Sequence, residues 1–233
     1  MAPATLPVTS PHLIAIYDLD RTITRLPTWT PFLIHAAWTR ARWRLALMPV
    51  AAGFAVLHGI RLIDRRSLKE IWHRLMIGSP PVGELEALAA SFAAQFVVRH
   101  IAPGARVRLA ADRAAGYRIV MATAAHRFYA APIAAALGID DLVATESAAN
   151  PSGRVLSRIN GDNCYGPAKL RMIERWMVDQ RIAREQAHVR FYSDHRSDVP
   201  TLAWADEAFA VNPHRALGRV AVERGWPVLD WRG

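Results

Sequence analysis

The sequence predicts an α/β protein: a parallel sheet flanked by helices, interrupted after its first strand by an all-helical insert. Three observations carry this. Short, mostly apolar strand-like runs at 13–17, 117–122, 189–192, 208–211 and 227–229 alternate with stretches of helical period, the pattern of strand–helix–strand units. The stretch 26–102 shows helical spacing alone. Three of the apolar runs end in chemically useful residues, Asp18 with Asp20, Thr123, and Asp194 with Asp198. Sites in parallel sheets form at the carboxyl ends of the strands.

Residues 1–12 are proline-rich and read as a loose tail, and Met1–Pro7 has neither the charged start nor the apolar run of a secretory signal. The first strand is 13–17, and its loop carries Asp18 to Thr24. Thr30 is the expected cap of the next helix, with Pro31 at its first position. Ser67-Leu68-Lys69-Glu70 has the form of a capping box and opens a helix through Met76. Gly78-Ser79-Pro80-Pro81 breaks it, and Glu84 to His100 is an alanine-rich helix. Helix 105–115 precedes the strand that ends at Thr123. A helix start soon after it would turn the Ala124 N–H into an oxyanion donor. Helix 127–137 follows, then short strands at 142–145 and 154–159 around the Asn150–Gly153 turn. Helix 166–180, strand 189–192, helix 198–205, strand 208–211, helix 214–224 and strand 227–229 complete the chain. The expected division is a core of 1–25 and 103–233 around a helical domain of 26–102.

Charge narrows the class of partner. The chain of 233 residues carries a net charge of +9, and residues 25–115 hold thirteen Lys or Arg against five Asp or Glu. A positive field there attracts anions: a phosphorylated substrate, nucleic acid or an acidic membrane face. Cys164 is the single cysteine, which excludes an internal disulfide framework and suits a reducing, cytoplasmic compartment. Leu45 to Ile60 is uncharged, with Trp38, Trp43, Arg40, Arg42 and Arg44 ahead of it and Arg61, Arg65 and Arg66 behind. The run is shorter than the ~20 residues of a membrane span. Two packings satisfy it: a buried helix of the insert, or an interfacial segment making peripheral contact with a membrane's inner face.

The chemistry starts from Asp18-Leu19-Asp20-Arg21-Thr22. Two carboxylates this close repel, and burial disfavours their charged forms. A divalent cation resolves the conflict, and oxygen-only ligands favour Mg²⁺. Asp18, at the strand end, is the candidate nucleophile and Asp20 the candidate acid for a leaving group. Thr123 offers a hydroxyl, and Lys169, in the first turn of its helix, is opposed by the helix dipole and calls for an anion nearby. Asp194 can complete a metal site; Asp198 can hold Lys169 or a metal-bound water. His126 and His195 read as loop residues, and no His/Cys spacing for zinc occurs.

These four blocks, Asp18–Thr22, Thr123 after an apolar strand, Asn163-Cys164-Tyr165-Gly166-Pro167-Ala168-Lys169 and Ser193–Asp198, resemble the haloacid dehalogenase superfamily of phosphatases. The third block and the helical insert are similar to its phosphoserine-phosphatase-like subfamily. The resemblance implies a Rossmann-like core with a helical cap, and Mg²⁺ held by Asp18, the Asp20 carbonyl and Asp194. It further implies an aspartyl-phosphate on Asp18, protonation of the alcohol by Asp20, and phosphate contacts from Thr123, Ala124 and Lys169. Position 27 is proline, where phosphoserine phosphatases carry the glutamate that holds the substrate amine, which argues against phosphoserine. Thr123-Ala124-Ala125 stands where those enzymes usually have Ser-Gly-Gly. The cap's uncharged run with flanking arginines is similar to caps of bacterial phosphatases acting on phosphatidylglycerophosphate. The expectation is a Mg²⁺-dependent phosphomonoesterase for a small phosphorylated substrate. The alternatives are a lipid-phosphate phosphatase at a membrane surface and, from another class, a non-catalytic nucleic-acid binder using the basic cap. No nucleic-acid motif supports the last.

Overall fold

The computed structural model describes residues 11–139 and 141–232, so most of the expected N-terminal tail lies outside the described residues. Seven strands form one sheet: β1 (His12–Tyr17), β2 (Arg118–His126), β3 (Asp141–Ala149), β4 (Val155–Asn160), β5 (Ala187–Ser193), β6 (Glu207–Val211) and β7 (Val228–Leu229). Their order is β4-β3-β2-β1-β5-β6-β7. All neighbouring pairs are parallel except β3–β4, which is an antiparallel hairpin at the sheet edge. The chain runs outward from β1 to β4 on one side and from β5 to β7 on the other. The reversal beside β1 is the switch point at which such sheets open a crevice.

Successive strand residues face opposite layers, and β1 shows the result. Ala15 and Tyr17 join an apolar cluster with α5 (Pro103–Ala114), α6 (Arg127–Ala136) and the insert, whereas Ile14 and Ile16 join the cluster under α7 (Pro167–Asp179), α8 (Val199–Trp204) and α9 (Arg215–Arg224). Burial on both sides is why these strands read as continuous apolar runs rather than alternating ones.

Between Arg25 and His100 lie α1 (Trp29–Arg40), a short 3-10 turn (Arg42–Leu47), α2 (Met48–Gly59), α3 (Arg65–Met76) and α4 (Val82–His100). The two connections pair with each other: Arg25 N–H donates to His100 O at 2.8 Å and Ala102 N–H to Ile23 O at 2.9 Å. Phe32, Leu85 and Phe92 of the insert share one apolar cluster with Met121, Tyr129 and Ile133 of the core. Arg66 donates to the carbonyls of Ile159 and Gly161, and Glu70 accepts from Ile159 N–H, so α3 is pinned to β4.

Several local expectations are corrected. α1 begins at Trp29, with Thr28 rather than Thr30 at the cap position and Pro31 inside the first turn. The capping box at Ser67 is displaced: Asp64 caps α3 by accepting from Ser67 N–H at 2.6 Å, since an ionised carboxylate is the better acceptor at a helix N-terminus. β2 runs past Thr123 to His126, so Ala124 lies in the strand and not at a helix start. His126 is consequently buried in the sheet rather than placed in a loop, and its Nδ1 meets Ser147 Oγ at 2.9 Å. The uncharged run is not a buried helix: Ala51 is the one buried residue of α2, and Met48, Val50, Val56, Ile60 and Leu62 are exposed. No helix among the described residues is long and apolar enough to cross a membrane.

Asp112 of α5 ties this framework together from a nearly dry position. It is 1% exposed and accepts from Tyr17 Oη at 2.5 Å, Tyr192 Oη at 2.9 Å and Arg190 Nη1 at 2.8 Å. Removing one member of a buried ion pair strands the rest, at about 3–5 kcal/mol. Asp112→Ala is therefore expected to lower stability by about that amount in urea unfolding. A loss below ~1 kcal/mol, the range of an exposed pair, would contradict the assignment.

Candidate active site

The carboxyl ends of β1, β2 and β5 surround a cleft of about 300 Å³ lined by Asp18, Asp20, Thr123, Ala124, Lys169, Asp194 and Asp198, among others. Every site residue named from the sequence is present at this one place.

Asp18 follows β1 directly, and its N–H donates to Tyr192 O at 3.0 Å, which continues the ladder with β5. The chain then bends through a single turn, Leu19–Ile23, in which Arg21 adopts φ 61°. A non-glycine residue in that region is strained, and such strain gathers at functional turns. Thr24 Oγ1 closes the turn onto the Leu26 carbonyl at 2.7 Å. The bend lets Asp20 face back: its Oδ1 accepts from both the N–H (2.8 Å) and the Oγ1 (2.7 Å) of Thr28. Both bonds fall on Oδ1, so Oδ2 is left for a substrate. Thr22 is buried, and its hydroxyl finds no partner among the described residues.

Lys169 stands on the first turn of α7, behind Gly166, whose φ of 58° supplies the tight entry. Its Nζ donates to Asp18 Oδ1 at 2.7 Å and to Asp198 Oδ2 at 2.6 Å, all three groups being buried. Ser193 Oγ donates to the same Asp198 oxygen at 2.7 Å. Of the two roles open to Asp198, the geometry therefore shows it holding Lys169. Thr123 Oγ1 accepts from Ala125 N–H at 3.0 Å, which leaves its hydroxyl proton for a ligand. The β2–β3 register shifts between Thr123 and His126, so Ala124 and Ala125 step out of the regular ladder.

The electrostatics of the cleft are unbalanced. Burial, with Asp198 beside it, pushes Asp18 up to about 7 against the pull of Lys169. Burial, then the charge of Asp18, pushes Asp194 up to about 8. Burial would lower Lys169, but the two carboxylates around it outweigh that and hold it above an ordinary lysine. His214 approaches Asp194 only at 3.4 Å. Among the described residues no group of three or more His, Cys, Asp or Glu could hold a metal by side chains alone. Two under-neutralised carboxylates nevertheless fit Mg²⁺, which binds through one or two carboxylates and keeps several waters.

Sequence reading missed Thr28, Arg65, Lys69, Tyr165 and His214. Lys69 had a signal: it falls on the same helical face as His73 and Met76, the buried stripe of α3. Thr28 and His214 had none, because their roles depend on a strained turn and on a loop packed across the sheet edge.

Residues 15–203 match the family model of haloacid dehalogenase-like hydrolases, and the chain belongs to that family. It is similar to the histidinol-phosphatase of Neisseria meningitidis, 27% identical over 150 residues, covering 64% of this chain and 68% of that protein. A solved structure of a protein of unknown function from Bordetella pertussis superposes with a TM-score of 0.86 at 27% identity, over 96% of this chain and 100% of that one. A substrate-bound phosphoserine phosphatase shares the fold with a TM-score of 0.64 at 14% identity, over 96% and 95% of the two chains. By family the chain is thus a hydrolase.

The raised carboxylates make stability depend on pH. Ordinary Asp side chains titrate near ~4, whereas Asp18 and Asp194 do so at about 7 and about 8 when folded. Between those values each of these two carboxyls holds more protons in the folded protein than in the unfolded chain, so its contribution to stability falls as pH rises through the window. The buried His73 and Lys69, both held below their ordinary values, contribute with the opposite sign, so the test is the difference between variant and wild type. Without divalent cations, the thermal midpoint of Asp194→Asn is expected to gain on that of the wild type between about pH 5 and pH 8; a difference that stays flat or shrinks over that range would overturn the electrostatic assignment.

Proposed function

We propose that the chain is a Mg²⁺-dependent phosphomonoesterase in which Asp18 is the nucleophile. The observation that carries this reading is the buried Asp18–Lys169–Asp198 chain at the junction of β1, β5 and α7. A lysine so held cannot act as a base, but it can neutralise an equatorial phosphoryl oxygen beside Asp18. Thr123 Oγ1 and the Ala124 N–H supply further donors on the β2 side. An Asp18 oxygen attacks phosphorus while the ester P–O bond breaks. Asp20, tethered through Oδ1, gives a proton from Oδ2 to the departing alkoxide. The same carboxylate then takes a proton from the water that hydrolyses the aspartyl-phosphate, releasing inorganic phosphate and restoring Asp18. Asp18, Asp194 and the carbonyl of Asp20 are the groups to hold Mg²⁺, which when bound offsets phosphoryl charge. Asp198 and Ser193 keep Lys169 in place.

Pro27 lines the mouth of the cleft and offers no carboxylate to an amine, which disfavours phosphoserine. In this reading the enzyme works in the cytoplasm, on a small phosphorylated metabolite. The exposed side of the insert favours one extension, to a phosphate ester presented by an anionic lipid surface. Trp38 and Trp43 are 55% and 65% exposed, Met48, Val50 and Val56 of α2 are exposed as well, and Arg42 and Arg44 stack on the two indoles. Aromatic and basic residues around an apolar helix are the composition of an interfacial segment.

Asp18→Asn is expected to cut hydrolysis of p-nitrophenyl phosphate by roughly 10³-fold or more with an unchanged circular dichroism spectrum; wild-type turnover in that variant would refute the mechanism. Chelation should abolish activity and added Mg²⁺ restore it. Flotation with anionic liposomes tests the lipid-surface extension: protein that stays at the bottom excludes it.

A further inference from the structure

A second chamber of about 200 Å³ opens from the cleft on the side of the insert, and Asp20, Pro27, Arg65 and Ala124 line both. At ~30 Å³ per water-sized group, it holds about seven such groups, the size of a small alcohol. Its walls are aromatic and basic: Trp29, His58, Arg65, Lys69, Trp72 and Tyr129.

Among the described residues the cations here have no ion-pair partner. Lys69 is 8% exposed, and its Nζ donates to the carbonyl of Ala124 at 2.7 Å and to Asn163 Oδ1 at 2.8 Å. Both acceptors are neutral. The Arg65 guanidinium lies 4.3 Å over the Tyr165 ring. Among the described residues neither cation meets a carboxylate. The one carboxylate in the wall is Asp20, and Thr28 already occupies its Oδ1. Trp29 Nε1 is buried and finds no acceptor among the described residues. Burial, with Arg65 next in effect, pulls Lys69 down to about 7, as befits an ammonium short of counter-charge. A buried cation without counter-charge, as at Lys69, and an orphaned donor are costly, and an incoming anion relieves both; Arg65, which is exposed, adds a second positive charge to the same wall without that cost.

We infer that this chamber receives the departing alcohol and selects one that carries its own negative charge, a carboxylate or phosphate group, with Arg65 and Lys69 as the specificity-determining cations. The inference rests on the phosphatase reading above, which places the phosphoryl group beside Asp18 and the ester oxygen at Asp20, the residue at the junction of the two spaces. An alcohol bearing an ammonium group, such as histidinol, meets two cations here and no free carboxylate beyond Asp20. The shared chemistry of an anionic alcohol has a soluble source, a phosphorylated hydroxy acid, and a lipid source, a glycerol headgroup joined through a phosphodiester.

Three esters of similar size test the charge of the leaving group: 3-phosphoglycerate, glycerol 3-phosphate and O-phosphoethanolamine, whose alcohols are anionic, neutral and cationic. The inference predicts kcat/KM in that order, with at least roughly tenfold between the first and the last, corresponding to about 1.4 kcal/mol. Arg65→Ala should shrink the ratio of 3-phosphoglycerate to glycerol 3-phosphate several-fold, chiefly through KM, and Arg65→Lys should recover part of it. Phosphatidylglycerophosphate against phosphatidate in phosphatidylcholine vesicles repeats the comparison for the lipid source. A preference confined to one arm identifies that source. Hydrolysis of p-nitrophenyl phosphate without an anionic preference in either arm, or a ratio unmoved by Arg65→Ala, overturns this inference alone. Failure to hydrolyse any phosphate ester with Mg²⁺ present overturns the phosphatase reading and this inference with it.

Discussion

One buried lysine between two buried carboxylates organises this molecule. Lys169 reaches Asp18 and Asp198 at 2.7 and 2.6 Å from elements far apart in sequence. Each of the three groups would be expensive in a dry site by itself. Together they still leave a negative excess around Asp18 and Asp194, and that excess is what supports the proposed Mg²⁺ site. The sheet topology follows from the same need. β1 must lie next to β5 so that Asp18 and the Ser193–Asp198 loop share one edge, and α7 must descend behind them to deliver its lysine.

The insert completes the site from above. Its helices are joined to the core by a continuous apolar cluster and by the clasp of Arg66 and Glu70 on β4. The clasp fixes the start of α3, and with it Arg65 and Lys69, over the cleft. The hydrogen bond from Lys69 to the Ala124 carbonyl links the insert to the strand that carries Thr123. In the proposed reading, the part of the chain outside the catalytic motifs selects the alcohol, whereas the motifs treat its phosphate.

Most of the architecture was legible because buried parallel strands leave a strong mark. Ile14–Tyr17 is an apolar run that ends in a carboxylate, and Val189–Tyr192, apolar but for Arg190, ends in a serine–aspartate pair; both strands lie within two residues of their expected bounds at either end. The core site was legible for the same reason: its groups sit where strands and helices end, and such ends are marked by Asp-x-Asp, Gly-Pro and Ser-Asp. Helix starts were misread where two caps competed. Asp64 won over Ser67, and Thr28 gave its side chain to Asp20, so α1 begins without a side-chain cap. The exposure of α2 could not be read from its composition, because an apolar helix looks the same buried or exposed. Nor could the pairing of Lys69 with Ala124, which depends on how the insert lies across the sheet.

The central claim is that Asp18 itself takes the phosphoryl group. Acid quenching of the Mg²⁺-loaded enzyme during turnover of a ³²P-labelled phosphate ester, followed by peptide mapping, tests it most directly. The account predicts an acid-stable, base-labile label on the peptide that contains Asp18. Turnover that leaves no label there, or a label fixed to another side chain, would contradict it.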